Sequence, residues 1–194
     1  MPTGRMEAFS DGVIAVIITI MVFVLKVPQG STVAELTPQL PVFFSYVLSF
    51  VFVGIYWNNH HHLLQTCSVV TGGMLWANLH LLFWLSLLPF ATGWMGENHF
   101  TPAPTVLYGV VLLMAGIAYF LLQQTIIHAQ GRDSILKKAV GRDWKGKVSL
   151  VLHVVAIGFG LGSPRIADAV FVAVALLWLI PDRRIENFLR SDRG

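Results

Sequence analysis

Charge is what this 194-residue chain has least of: 12% of its residues are Asp, Glu, Lys or Arg, against roughly 25% in a soluble domain. A water-facing surface of ordinary polarity is therefore excluded. The chain has one cysteine, Cys67, so an internal disulfide cannot form. No carboxylate or thiol cluster has metal-ligand spacing. No nucleophile, base and orienter stand together, and no phosphate-binding loop is present, so an intramembrane enzyme has little support. Low-complexity tracts and long linkers are also missing. The longest polar stretches run over 129–146 and from Pro181 onward, so residues 1–194 read as a single domain.

Apolar residues, by contrast, make up 55% of the chain, with a mean hydropathy of +0.69. They come in blocks of about twenty, the length of a helix crossing a hydrocarbon core, and not in the short alternating segments of a membrane barrel. The reading is an all-α membrane protein with six transmembrane helices per subunit. The spans are expected near Val13 to Lys26, Val42 to Leu64, Gly73 to Trp94, Pro104 to Ile127, Val148 to Gly162 and Ile166 to Ile180. The last two are short; two tilted spans are preferred to one re-entrant hairpin. An acidic residue, Glu7, before the first apolar run and the lack of a small-residue cleavage site after it argue against a signal peptide.

Six spans put 11 of the 13 basic residues on one side, leaving Lys26 and Arg165 opposite. By the positive-inside rule both termini are then cytoplasmic, in a multi-pass protein of the cell membrane. The basic loop before the fifth span is a topology signal before it is a lipid-headgroup site. It also accounts for the high pI, so nucleic acid is not implied.

Several residues invite a functional reading. Val16, Thr19, Ile20 and Phe23 have the spacing of one helical face. Ile17, about 100° round the helix, falls off that face and toward lipid. Asp11 sits just before the apolar run. It is either a first-turn residue favoured by the helix dipole or the mark of a partner or pathway. His60, His61 and His62 are consecutive and point apart, so they cannot close on one ion, and no metal or other cofactor is expected. His80 and His153 lie within spans, as proton-relay members or as neutral histidines satisfied by a neighbour. Asn78 is read as an interhelical hydrogen-bond residue. The Gly158 to Gly162 spacing either allows close packing or marks a flexible span end, and Pro89 is expected to kink the third span.

Three motifs carry a resemblance. Arg5, Phe9, Ser10 and Asp11 form Arg-x-x-x-Phe-Ser-Asp in the first helix. The second span contains Trp57-Asn58-Asn59-His60-His61-His62-Leu63, and the third contains Leu87-Leu88-Pro89-Phe90. In this order, on six spans, they resemble the transmembrane protein 175 family of potassium channels. Two positions depart from the family pattern: His62 stands where bacterial members commonly have Arg, and Val16 where Ile or Leu is usual.

The resemblance implies a passive, potassium-selective or weakly selective cation channel, a homotetramer in the lipid bilayer with the first helix of each subunit lining the pore. Potassium and other monovalent cations would be its partners. Val16, Ile20 and Phe23 would form the constriction, with Val16 the narrowest ring. Arg5, Ser10, Asp11 and His60 would form a structural polar network at the cytoplasmic helix ends. The filter sequence Thr-Val-Gly-Tyr-Gly is absent, so selectivity cannot come from a carbonyl filter of that kind. Val16 and a ring of Thr19 hydroxyls are assigned to it instead, although Thr19 could equally bond the backbone one turn earlier. A proton-coupled transporter using intramembrane His and Asp is the alternative; it would call for inverted repeats, which are not visible.

Overall fold

The computed structural model describes residues 3–67, 69–131, 134–141 and 143–179. Arg132, Arg142, Ile180 and the basic residues of the tail, which enter the charge asymmetry above, lie outside them. Among the described residues eight α-helices and two short 3-10 segments carry all the regular structure: α1 Thr3–Met21, α2 Leu40–Gln65, α3 Gly72–Ser86, α4 Leu88–Glu97, α5 Pro102–Gln130, α6 Ile135–Val140, α7 Trp144–Gly160 and α8 Pro164–Leu179. Val22–Val24 and Val33–Gln39 are the 3-10 pieces.

The helices begin where the local chemistry directs. Thr71 accepts a hydrogen bond from the Met74 amide at the start of α3, and Asp143 accepts one from the Gly146 amide at the start of α7, each satisfying a donor with no partner inside the helix. Proline opens α5 and α8, where its missing N–H costs nothing. The expected first span from Val13 is part of a longer helix starting at Thr3, because Arg5, Glu7 and Asp11 are polar yet helix-compatible. The expected third span is broken at Leu87 into α3 and α4. Pro89 cannot donate to the turn before it, which ends one helix and starts the next.

Four helical stretches, 3–24, 33–65, 72–97 and 102–130, are long and apolar enough to cross a bilayer. This is a multi-pass membrane protein. α7 and α8 have 17 and 16 residues, about 25 Å each at 1.5 Å per residue, slightly less than the roughly 30 Å of a hydrocarbon core.

α5 is the central post, packing on α3, α4, α7 and α8, while α1 lies across α2, α3 and α4. Close approach depends on particular glycines. A Cβ on Gly109 would press into Ile157 and Phe171, one on Gly116 into Leu150, and one on Gly96 into the α2 backbone at Val42. On α7 the glycine at a contact is Gly160, against Val106; Gly158 and Gly162, the pair with the packing spacing, face open space. Spacing alone cannot tell which face of a helix meets a neighbour.

Inside this bundle a row of hydroxyls joins α2, α4 and α5: Tyr108 and Ser49 are 3.0 Å apart, Thr92 and Ser49 2.6 Å, and Thr92 and the Leu88 carbonyl 2.6 Å. At that last distance a hydroxyl that did not donate would be repelled, so Thr92 donates to the carbonyl. Ser49 then donates to Thr92, and Tyr108 to Ser49.

Candidate functional site

α1 has two faces. Met6, Ser10, Ile14, Ile17 and Met21 are buried against the rest of the subunit. Roughly 130° round the helix, by the 3.6-residue turn, Val16 and Ile20 are 54% and 50% exposed and Phe23 is 78% exposed; Thr19 is exposed beside them. The four residues grouped by spacing therefore share the uncovered side of α1. Phe23 is carried by the 3-10 turn and not by the α-helix, so it continues the stripe only in outline. Ile17 is off this face, as its offset requires. It does not look toward lipid, however: it is 4% exposed and packed in the subunit interior.

Along the uncovered face runs an open apolar groove lined by Phe9, Gly12, Val13, Val16 and Ile20, with Pro89 and Phe90 of α4 on its flank. The break in the third span thus lies next to the candidate pore face. Thr19 donates its hydroxyl proton to the Ala15 carbonyl at 2.8 Å. Its oxygen keeps lone pairs for a cation or water, so the backbone bond and a part in coordination are compatible.

At the N-terminal end of α1 the expected polar residues fall into separate groups. Ser10, buried, donates to the Met6 carbonyl at 2.8 Å and accepts from the Asn78 amide at 2.9 Å. Asn78 Oδ1 in turn accepts from His60 Nε2 at 2.8 Å. Because Oδ1 is acceptor-only, the His60 proton sits on Nε2, leaving Nδ1 buried without a partner. Asp11 belongs to an exposed pair, accepting from the Trp57 indole at 3.0 Å. His61 Nδ1 meets Glu7 at 2.8 Å, and Gln65 bonds its other ring nitrogen. Arg5 is exposed and, among the described residues, has no hydrogen bond or ion pair. Within one subunit, then, Ser10 and His60 come together through Asn78, whereas Asp11 and Arg5 do not join them. Glu7 and Trp57 were missed as network members; their signal was a carboxylate and an indole one helix turn from Asp11 and His61 respectively.

The remaining singled-out groups are held locally. Trp84 donates to His80 Nε2 at 2.9 Å, and His153 Nδ1 donates to the Ser149 carbonyl at 2.7 Å. Among the described residues no group of three His, Cys, Asp or Glu side chains could hold a metal ion. Cys67 lies just beyond α2, where burial pushes its thiol up to about 11, leaving it protonated and unreactive near neutrality.

The model of the endosomal/lysosomal potassium channel TMEM175 family matches residues 5–89, which takes in nearly all of α1, the first two motifs and the third as far as Pro89. A curated potassium channel of Chryseobacterium sp. (strain P1-3) is 53% identical over 99% of this chain and 100% of its own length. The chain belongs to the TMEM175 family. Its fold is that of a lysosomal potassium-selective channel TMEM175 homolog from Chamaesiphon minutus, whose crystal structure superposes with a TM-score of 0.80 at 25% identity, covering 93% of this chain and 97% of that one. The human endosomal/lysosomal proton channel TMEM175 is 35% identical over 45% of the chain and 20% of that protein. Family and relatives are ion channels, and the chain is a channel and not an enzyme.

Proposed function

We propose that the protein conducts potassium, and other monovalent cations to a lesser degree, passively across the cell membrane through a pore lined by α1 from four copies. The observation that carries this reading is the uncovered face of α1, where Val16, Ile20 and Phe23 lie exposed opposite a fully buried stripe. One such helix cannot enclose a water-filled path, whereas symmetric copies can. In this assembly Val16, Ile20 and Phe23 form stacked apolar rings. The barrier to a hydrated cation is its loss of water in that neck, which can close by dewetting. Thr19 supplies the polar ring, and with Val16 sets the selectivity. Ser10, His60 and Asn78 brace the helix; Asp11, and Arg5 on the exposed surface, are placed for contacts in the assembled channel.

The subunit in this reading is a single six-span domain: α1, α2, the bent α3–α4 pair, α5, α7 and α8. Both termini are cytoplasmic. Lys26 pairs with Glu97 at 2.7 Å, which keeps the ends of the first and third spans on one side of the bilayer, as the six-span order requires. The proton-coupled carrier has less support, because His80 and His153 both spend a ring nitrogen on their own helices. Purified protein in liposomes under a potassium gradient tests the proposal: flux without added ionophore is expected, and its absence in tight, correctly reconstituted vesicles would sink the channel reading.

A further inference from the structure

The uncovered face of α1 ends in a charged pair. α4 runs alongside that face: Pro89 and Phe90 flank the groove that Val16 and Ile20 also line, and a Cβ on Gly93 would lie 3.2 Å from Val24. Beyond that contact Lys26 Nζ meets Glu97 Oε1 at 2.7 Å. Glu97 follows Phe90 by about two helical turns, so it stands on the same side of α4, about 10 Å further along. The groove therefore leads, past the exposed Phe23, to Lys26 and Glu97.

This pair is wet. Its side chains are 69% and 47% exposed, in an open cleft shared with Pro38, Gln39 and His99. An ion pair so exposed adds little to stability, but it sets the field around it. Between Asp11 and Pro28, and along α4, Lys26 and Glu97 are the only formally charged side chains. Of the other charges toward this end, Glu35 lies against Gly30, and Arg165 and Asp168 stand on α8, which packs on α2, α5 and α7. At the mouth of a cation path a bare Lys26 from every copy would repel the arriving ion, and the carboxylate beside it cancels that repulsion.

We propose that Glu97 is a conduction-determining residue, whose carboxylate neutralises Lys26 at the end of the α1 face and so keeps that mouth of the pore passable to cations. The proposal rests on the reading of α1 as the pore-lining helix. Glu97 need not touch the ion, because it acts through the field of the pair. Its effect must then fade as salt shortens the range of that field, from roughly 30 Å at 0.01 M to roughly 3 Å at 1 M, and must vanish when Lys26 is removed with it.

The test measures potassium flux into liposomes at one potassium gradient and one pH, with ionic strength raised on both sides by an impermeant organic chloride. The fixed pH keeps the charge of His99 the same throughout any one set of salts. At about 10 mM ionic strength Glu97→Gln should lower flux about fivefold, and Lys26→Gln, which frees the carboxylate, should raise it. The double variant should return to near the wild-type rate. At about 1 M all four proteins should agree within about twofold. Flux in Glu97→Gln that equals wild type at low salt, a deficit that persists at high salt, or a double variant as slow as Glu97→Gln would overturn the assignment. The last two results would mark Glu97 as a structural residue. Should Glu97→Gln fail to assemble, Lys26→Gln decides alone, since flux at or below wild type at low salt contradicts the proposal. A wild-type protein without flux would remove the channel reading itself, whereas a conducting wild type with an insensitive Glu97→Gln removes only the role of Glu97.

Discussion

At Val16 and Ile17, neighbours in the chain, the protein presents side chains to two different surroundings. Val16 is half exposed on the uncovered face and Ile17 is enclosed by the subunit core. Substituting asparagine at each should therefore give opposite results. If α1 lines the pore as proposed, Val16→Asn wets its apolar neck, and liposome flux should rise several-fold while any preference for potassium over sodium weakens. Ile17→Asn buries an amide without a partner and should lower stability by about 3 kcal/mol or more, seen as loss of the folded peak in size-exclusion chromatography. Unchanged flux in Val16→Asn, measured on well-folded protein, would remove α1 from the pore. Thr19→Val keeps shape and deletes the only hydroxyl on that face, so flux should persist with a smaller potassium preference. At Cys67 the raised pKa of about 11 implies that thiol-directed labelling at pH 7.5 is roughly a hundredfold slower than for a free thiol. The rate should climb steadily with pH; labelling at the free-thiol rate would contradict the burial.

Individual elements were unevenly legible in the sequence. The long apolar blocks announced α2 and α5 to within a few residues, and Pro89 announced the break between α3 and α4. The inward face of α1 was not legible, because a helix bounded partly by lipid is apolar all round and periodicity loses its contrast. Nor could the role of Asn78 as the bridge from His60 to Ser10 be read off, since three helices must be assembled before these atoms meet. That bridge predicts an order of effects. Asn78→Leu strands His60 and Ser10 in a buried place and should cost about 1–3 kcal/mol. Ser10→Ala should cost less, since Ser10's own proton is spent on its helix. Melting in detergent checks both, and equal losses would argue against the bridge. The glycine contacts on α5 give a parallel test: Gly109→Ala, which overpacks Ile157 and Phe171, should cost about 1–3 kcal/mol. Gly158→Ala, facing open space, should be neutral or slightly stabilising.

For the whole molecule, the uncovered α1 face is the surface on which the proposed assembly of four copies rests. Native mass spectrometry in mild detergent should give four times the mass of one subunit; a stable monomer or dimer that still conducts would refute the fourfold pore. The hydroxyl row from Tyr108 through Ser49 to Thr92 has a further consequence at this scale. Every proton in it points the same way, and the last is given to the Leu88 carbonyl, a group that cannot pass one on. Proton hopping along a hydrogen-bonded chain needs an acceptor at the far end that can release a proton in its turn. The row is accordingly an insulator: it satisfies buried oxygens where α2, α4 and α5 meet while offering hydrogen ions no shortcut through the body of the subunit.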